Sequence, residues 1–545
     1  MGQTAQASQP LQQYDELLLK TPEYLEPLLA NLIIPADITP AFITKLGRDA
    51  LEIKKADTVL ENAGLNARFH KRIPSALDSV DIAVLLASII PFRNILTSVN
   101  SQESLLHVYQ YETENHGLYT SNQRYIKRLI KQVEPKANKM TCQEVIDDIE
   151  TVCPTAYPTA KSHLVPCANG IFDKNEKVLL PYSPDYVYLS KLSIDYVVCP
   201  HNPVITADDG YKWDVETWLK ELADNEDDVY TLLWQVISDS IQGTYSRGKA
   251  IIFYSQSGNN GKGTLGQLIK NILGAGNYSS LAISDFRHEF LKSQLVGALA
   301  NISDENDVEQ YIDSVRDFKA SITGDDIIIN GKYEKPYPFQ FRGANIQMLN
   351  GLPKTRDKSD SFYRRLLMVP FLKSFTNNGE RKYIKHDYIG RKEVLEYVLN
   401  KAANIDFDEY IEPKVSKLLM EDYKQTNNPV MQFWDEMCDE FKWDLLPTQF
   451  LYDLFVSWSK RNNPVGKPMG KKSFTEAMRT LLADSKQWVT SFDKPTKTAQ
   501  RMIADEPLIT QYNLTGWYKP GYNGTSLETL RKFDRNNLYR GIYKI

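Results

Sequence analysis

The sequence predicts an α/β protein in which one strand of a parallel sheet runs into a phosphate-binding loop. An α+β region precedes this part of the chain, and a winged-helix domain follows it. Three observations predict this fold. A β-prone run at 249–254 passes into a Gly-rich loop and then into helical spacing at 265–273, which is the strand, loop and helix order of a P-loop. Two more apolar runs end in acidic or amide side chains near residues 304 and 350. Beyond a linker at 427–429, three helical patterns precede extended segments at 488–492 and 501–503, in winged-helix order.

The Gly-rich loop has the composition of a phosphate site. Its glycines let backbone N–H groups close around an anion, and the helix that follows adds partial positive charge. Lys262 is expected to reach the β- and γ-phosphates of ATP, and Thr264 or a neighbouring residue to hold Mg²⁺. The pattern G-x-x-x-x-G-K-[ST] is broken by Gln256 and Gly263, so the loop alone also fits a Gly/Asn-rich turn with an incidental lysine. The predicted ATP-binding residues are Gly258, Asn259, Asn260, Gly261, Lys262, Gly263 and Thr264.

Catalytic side chains are predicted at the ends of the later strands, and the strand that ends at Asp304 is expected to lie directly beside the strand at 249–254. Asp304 is assigned mainly to Mg²⁺ and Glu305 mainly to the attacking water, which Asn350 would help to orient. Arg364 and Arg365 precede another apolar run. In an oligomeric ATPase such a pair supplies a finger to the neighbouring subunit's γ-phosphate, and Arg365 is the preferred candidate. Each feature alone also fits a solvated acid pair or a surface arginine pair.

Together these motifs resemble the superfamily 3 helicases of bacteriophages, phage satellites and poxviruses. The resemblance implies an AAA+ ATPase that works as a hexamer, uses ATP and Mg²⁺, and translocates on single-stranded DNA. Upstream, 163–184 is similar to the domain that precedes the ATPase in phage primase-helicases, so the resemblance covers roughly residues 105 to 500. The motifs are Gly258–Thr264, Ser303–Asn306, Lys319–Asp326, Lys332–Lys335, Asn350–Pro353 and Phe362–Phe371.

A hairpin is predicted before the third strand, because Asn330-Gly331 stands between β-branched residues. In the helicases that the chain resembles, a hairpin at this place points into the central channel and carries a basic residue to DNA. Lys332 and Lys335 are the candidates here. The alternative is a solvated hairpin whose lysines protect its edge.

A second DNA contact is predicted in the C-terminal part of the chain. The net charge of the 545 residues is −5, so binding to nucleic acid has to depend on local basic patches. Residues 460–501 contain ten Lys and Arg against three acidic residues. Lys471, Lys472 and Arg479 are the expected duplex contacts, although solvated faces also carry excess lysine.

The length and a composition of 42% hydrophobic and 24% charged residues indicate three to four globular domains. Asp78 and Asp81 begin a helical pattern, where they are expected to cap a helix, so a primase half is expected to be absent or reduced. The predicted divisions are a helical region at 1–104, a small α+β domain at 105–205, a helical collar at 206–247, the ATPase at 248–426, the winged-helix domain at 427–510 and a basic tail at 511–545.

The sequence lacks a signal pattern and a run of roughly 18 apolar residues, which favours the cytoplasm of a bacterial host cell and no membrane contact. The five cysteines are expected to be reduced, buried thiols. The predicted function is an ATP-hydrolysing DNA helicase or replication initiator of a phage or mobile genetic element. Two alternatives stay open: a primase-helicase with a degenerate primase part, and an origin-binding ATPase that does not unwind DNA.

Overall fold

The computed structural model describes residues 21–99, 104–112, 114–255, 258–304, 312, 314–331, 335–353, 355, 357, 359–375, 381–462, 468–495, 497–502, 504–518 and 537–545. The chain divides into two compact units, Met1–Ser416 and Lys417–Ile545. Two of the predicted site residues, Glu305 and Lys332, lie outside the described residues.

The helices of the first unit are α1 (Glu26–Ala30), α2 (Pro40–Ala63), α3 (Ser79–Ile89), α4 (Gln123–Val133), α5 (Lys139–Val152), α6 (Val215–Leu222), α7 (Asp227–Ser240), α8 (Lys262–Leu273), α9 (Arg316–Thr323), α10 (Asp360–Tyr363), α11 (Lys382–His386) and α12 (Lys392–Ala403). Most of helix α13 (Lys414–Asn427) belongs to the second unit, but the helix begins in the first unit. The strands of this unit are β1 (Phe92–Leu96), β2 (Ser104–Tyr109), β3 (Tyr119–Thr120), β4 (Thr155–Ala156), β5 (Leu164–Cys167), β6 (Gly170–Asp173), β7 (Val178–Leu180), β8 (Ile205–Thr206), β9 (Lys212–Trp213), β10 (Ala250–Tyr254), β11 (Tyr278–Ser279), β12 (Ala300–Ser303), β13 (Asp326–Ile329), β14 (Tyr337–Gln340), β15 (Ala344–Leu349) and β16 (Leu366–Pro370).

The N-terminal region is helical only as far as Ile89. Asp78 and Asp81 form a capping box at the start of α3, which confirms their predicted capping role. The predicted helical region extended to residue 104, but Phe92–Leu96 is a buried strand in a four-stranded sheet of order β3-β2-β1-β4. The helix ends here because Pro91 follows Ile90, and a residue before proline avoids the α conformation. Ile90 accordingly has φ −125° and ψ 127°.

The collar helices α6 and α7 belong to the same hydrophobic core as the central sheet. Trp213, Trp218 and Trp234 are buried in that core, as expected for aromatic residues that pack and do not stack on bases. Leu222, at the end of α6, lies against the phosphate-binding loop. The collar therefore positions the loop directly.

The central sheet is parallel and has the order β11-β12-β15-β10-β16. The prediction that the acid-bearing strand β12 lies beside the P-loop strand β10 is wrong, because β15 lies between them. Neighbouring parallel strands end at one edge of a sheet. The ends of β10, β15 and β12 therefore place the loop, Asn350 and Asp304 along this edge in that order.

The hairpin predicted before β15 is present, but its turn is not a two-residue Asn-Gly turn. Strands β13 and β14 are antiparallel, with Ile329 opposite Tyr337. The connection therefore takes up residues 330–336, and Asn330-Gly331 only begins it. Lys335 is exposed in this connection.

The second unit contains α14 (Pro429–Met437), β17 (Leu445–Pro447), α15 (Thr448–Asn462), α16 (Lys471–Leu481), β18 (Trp488–Ser491), β19 (Lys497–Thr498), α17 (Leu508–Gln511), β20 (Leu538–Tyr539) and β21 (Gly541–Lys544). Its core is aromatic and includes Trp434, Trp443, Trp458 and Trp488. Three expectations need correction. Asn428 is a helix cap and not part of a linker, because its side chain accepts hydrogen bonds from the first turn of α14. Residues 499–502 form a 3₁₀-helix where an extended segment was expected. The end of the predicted tail forms β21, the central strand of the sheet β17-β21-β18.

All five cysteines are free, as expected, but Cys199 is exposed and Cys438 only half-buried. Among the residues that the structure describes, no helix is both long and apolar enough to cross a membrane.

Candidate functional site

The loop after β10 turns sharply into α8. Gly261 caps this helix with φ 86°, a left-handed conformation that favours glycine. A Cβ at this position would also lie 2.4 Å from Leu222 Cδ2. The Lys262 N–H donates to Asn260 Oδ1 at 3.2 Å, and the Phe375 N–H donates to the Asn259 carbonyl at 2.7 Å. These contacts hold the loop in place around the N-terminal end of α8.

Lys262 connects the loop to the neighbouring strand. Its side chain is buried, and its Nζ donates to Asn350 Oδ1 at 2.7 Å. Burial lowers the pKa of Lys262 to about 8, and the charge of Asp304 opposes this change. A buried ammonium group without an ion pair is costly unless an anion joins it. The position and charge of Lys262 therefore favour an anionic ligand at this place.

Asp304 lies beside the loop, directly after β12. An ideal Cβ on Gly263 would be 3.7 Å from Asp304 Oδ2 and 3.6 Å from Lys385 Nζ. The hydroxyl that usually follows the P-loop lysine would thus face Asp304, where a metal ion would be needed. In this chain the hydroxyl is displaced to Thr264, which lines the adjoining cavity.

That cavity has a volume of about 430 Å³ and adjoins the loop on the collar side. The Arg381 guanidinium stacks 3.6 Å from the centre of the Tyr211 ring, and among the described residues its buried Nε lacks a hydrogen-bond partner. Phe375 and Trp218 supply apolar walls, and Lys382, Lys385 and His386 add basic groups. An aromatic wall, a stacked guanidinium and several cations suit a nucleobase joined to phosphates.

The sequence analysis missed this second half of the site. Tyr211 comes before both collar helices, and Arg381 comes after the last strand of the central sheet. Both residues are therefore far from the loop in sequence, and their spacing from it does not identify them. The only local signal is the basic segment Arg381-Lys382 with Lys385-His386.

The two arginines before β16 differ in their surroundings. Arg365 Nη1 donates to Ser361 Oγ at 2.7 Å and to the Ser361 carbonyl within the same chain. Arg364 is exposed. Arg364 is therefore freer than Arg365 to extend away from its own chain, and both stay candidates for the finger.

The hairpin is attached at its base to the N-terminal sheet. Thr97 Oγ1 donates to the Pro338 carbonyl at 2.6 Å, and the Gln340 N–H donates to the Thr97 carbonyl at 3.2 Å. Ser98 Oγ donates to Asp326 Oδ1 at 2.5 Å. These bonds link residues just beyond β1 to both strands of the hairpin and anchor its base.

In the second unit the predicted DNA contacts lie on α16, but they are not equivalent. Arg479 makes two hydrogen bonds to the Asp493 carboxylate, at 2.8 and 3.1 Å. Lys471 Nζ donates to Gln449 Oε1 at 2.6 Å, and Lys472 is exposed. Because Asp493 already neutralises Arg479, the two lysines are better placed than Arg479 to meet a phosphate.

Three family models match separate parts of the chain. A model described as D5 N terminal like matches residues 92–243, and one described as Poxvirus D5 protein-like matches residues 425–509. The chain therefore resembles poxvirus D5-like proteins in two separate regions. A model for a family of unknown function, DUF5906, matches residues 253–365 between them. The region matched by the D5 N terminal like model begins at the first residue of β1 and takes in both collar helices.

Among solved structures, an A-form apo structure of the NrS-1 C-terminal region is 14% identical, with a TM-score of 0.43, and the match covers 79% of this chain and 89% of that chain. A second apo structure of the same region is 15% identical, with a TM-score of 0.40 and coverage of 72% and 96%. No curated protein matches the sequence.

Proposed function

We propose that this chain is an ATP-dependent DNA helicase and replication initiator of a phage or mobile genetic element, built on a superfamily 3 AAA+ core. One observation carries the proposal: the 2.7 Å hydrogen bond from Lys262 Nζ to Asn350 Oδ1. It joins the P-loop to the end of the adjacent strand, at the edge where Asp304 also lies. A phosphate group bound by the loop would meet a cation, an amide and a carboxylate at once.

The residues present fit ATP with Mg²⁺. The loop N–H groups and Lys262 would bind the phosphates, and Arg381, Tyr211 and Phe375 would enclose the base. Asp304 and Thr264 are the candidates to hold the metal, which when bound neutralises phosphate charge. Asn350 would orient the attacking water, and Glu305 stays the proposed group that polarises it.

The proposed active assembly is a homo-oligomer, most simply a hexameric ring in the host cytoplasm. The exposed Arg364 would reach the γ-phosphate bound by the neighbouring subunit, and Arg365 would support it from within the chain. An arginine finger accelerates hydrolysis by about 10³ to 10⁵ in related phosphoryl-transfer enzymes.

Two DNA contacts complete the proposal. Lys335 and Lys332, on the hairpin, would hold single-stranded DNA in the channel of the ring. In the second unit, the order α14, β17, α15, α16, β18, β21 supports a winged-helix domain, in which Lys471 and Lys472 on α16 would contact duplex DNA.

The test is ATP turnover by the purified full-length protein. Lys262→Ala should abolish hydrolysis, and Glu305→Gln should leave ATP bound but not hydrolysed, since the two residues act on the phosphates and on the water respectively. Lys161→Ala, a change of an exposed loop lysine, is the control and should have no effect. Normal turnover by Lys262→Ala would refute the proposed ATP site.

A further inference from the structure

Helix α4 divides its surface into an apolar and a basic face. Its apolar residues are buried against the N-terminal helices: Ile126, Leu129, Ile130 and Val133. Its basic residues follow the spacing i, i+3, i+4, i+7 and form one stripe on the opposite side. This basic face consists of Arg124, Lys127, Arg128 and Lys131.

The charge of this face is not balanced locally. No acidic residue occurs between Glu114 and Glu134, although the chain as a whole is acidic. Arg128 forms an ion pair with Glu112 and lies 4.8 Å from the Tyr125 ring. Among the ion pairs of the described residues, this pair alone involves the basic face, so no carboxylate of that part of the chain pairs with Arg124, Lys127 or Lys131.

The arrangement suits a phosphate backbone. Four cations on successive turns of one rigid helix present charges in a line about 10 Å long, since each residue adds about 1.5 Å of rise. The surface beside them is an open depression lined by residues of α4 and its cap, Asn122. A linear row of cations with adjoining polar groups binds the repeating charges of nucleic acid without reading its sequence.

We propose that the basic face of α4 is a nucleic-acid contact of the N-terminal module, additional to the hairpin and to α16. It would hold the phosphate backbone of DNA outside the ATPase sheet. This inference rests on the proposed function only in taking DNA as the substrate, because neither ATP binding nor unwinding is needed for the contact.

The test compares two full-length variants with equal loss of charge. The first is Arg124→Gln, Lys127→Gln and Lys131→Gln, which keeps good helix formers on α4. The control is Lys161→Gln, Lys392→Gln and Lys414→Gln, which removes three exposed lysines from separate elements. Fluorescence anisotropy measures the binding of labelled single-stranded and duplex DNA, without nucleotide, over a series of salt concentrations.

For single-stranded DNA, the α4 variant should bind more weakly, with a salt slope flatter by about two units, since each lost phosphate contact removes about 0.7 unit. The dispersed control should keep the slope of the unmodified protein. A loss confined to single-stranded or to duplex DNA would identify which of them the face holds. Equal slopes for both variants on both DNAs would overturn the proposal and assign the face to an acidic protein partner or to solvent.

DNA-free ATP turnover should be normal in both variants. Because DNA binding is read without nucleotide, a failure of the ATPase proposal would be seen separately.

Discussion

At the residue scale, Gly263 offers a direct test of where the metal ion belongs. A Cβ there would be 3.7 Å from Asp304 Oδ2 and would meet no closer atom than Lys385 Nζ, so a small side chain fits. Gly263→Ser should place a hydroxyl beside Asp304 and lower the Mg²⁺ concentration needed for half-maximal ATPase activity, on the order of tenfold, as a supporting metal group does. Gly263→Ala, which adds the Cβ without the hydroxyl, is the control. Equal Mg²⁺ dependence of the two variants would place the metal away from Asp304.

Lys262 predicts how ATP affinity depends on pH. Its pKa is lowered to about 8 by burial, so the unliganded protein loses this positive charge above pH 8, whereas bound phosphate favours the charged form. ATP should therefore bind about tenfold more weakly at pH 9 than at pH 7, with proton uptake at the higher pH. Isothermal titration calorimetry measures both. Lys262→Arg keeps its charge over this range and should show no such pH dependence. A flat profile for the unmodified protein would contradict the lowered pKa.

At the scale of single elements, a buried amide network joins the strands of the central sheet. The Asn301 side chain on β12 donates to Asn345 Oδ1 at 3.1 Å and to the Leu281 carbonyl at 2.9 Å. Gln347 on β15 also donates to Asn345 Oδ1, at 2.9 Å. In the sequence these amide residues are single polar positions within apolar runs. The alternation of polar and apolar residues does not reveal which amides face each other, and this is why the strand order was predicted wrongly.

Removing this network should destabilise the sheet. Asn301→Ala leaves several buried polar groups unpaired and a cavity, which costs about 2 to 4 kcal/mol. Urea denaturation followed by circular dichroism should detect an earlier transition. Asn175→Ala, in an exposed turn, should leave the transition unchanged. If Asn301→Ala behaves like Asn175→Ala, the amide network does not stabilise the sheet.

The hairpin base gives a second prediction at this scale. Thr97→Val with Ser98→Ala removes the hydroxyl hydrogen bonds to Pro338 and Asp326 while keeping side-chain size. ATP hydrolysis should persist, because these residues do not touch the P-loop. Strand displacement should fall on the order of tenfold or more, since a small misplacement of a positioned group has effects of this size. Thr44→Val, whose hydroxyl bonds within an exposed helix, is the matched control. Unchanged unwinding by the double variant would show that the hydrogen bonds at the hairpin base are not needed for translocation.

At the scale of the whole molecule, local motifs were predicted better than long-range pairing. The loop, Asp304 and Asn350 were found from the sequence because each follows its strand within a residue or two, and parallel strands bring such positions to one edge. Strand β21 was missed because Gly541–Lys544 pairs with strands near residues 446 and 490, and a short basic segment carries no signal for partners so distant. Arg381 and Tyr211 were missed because they too are far in sequence from the loop that they adjoin in the fold.

The assembly itself predicts complementation between inactive subunits. Arg364→Ala should bind ATP normally yet hydrolyse it about 10³-fold more slowly. Mixed with Lys262→Ala, it should regain part of the activity, because some interfaces then combine an intact loop with an intact finger. Turnover in the mixture is compared with that of each variant alone. If turnover in the mixture equals the sum of the turnovers of the two separate variants, Arg364 acts within its own subunit or not at all.

The most direct test of the central claim is strand displacement from a forked DNA by the full-length protein with ATP and Mg²⁺. We expect the unmodified chain to release the labelled strand only when ATP is hydrolysed, and Lys262→Ala and Glu305→Gln to release none. Robust ATP hydrolysis with no strand release from forks of either polarity would contradict a helicase, and would favour an origin-binding ATPase that does not unwind DNA.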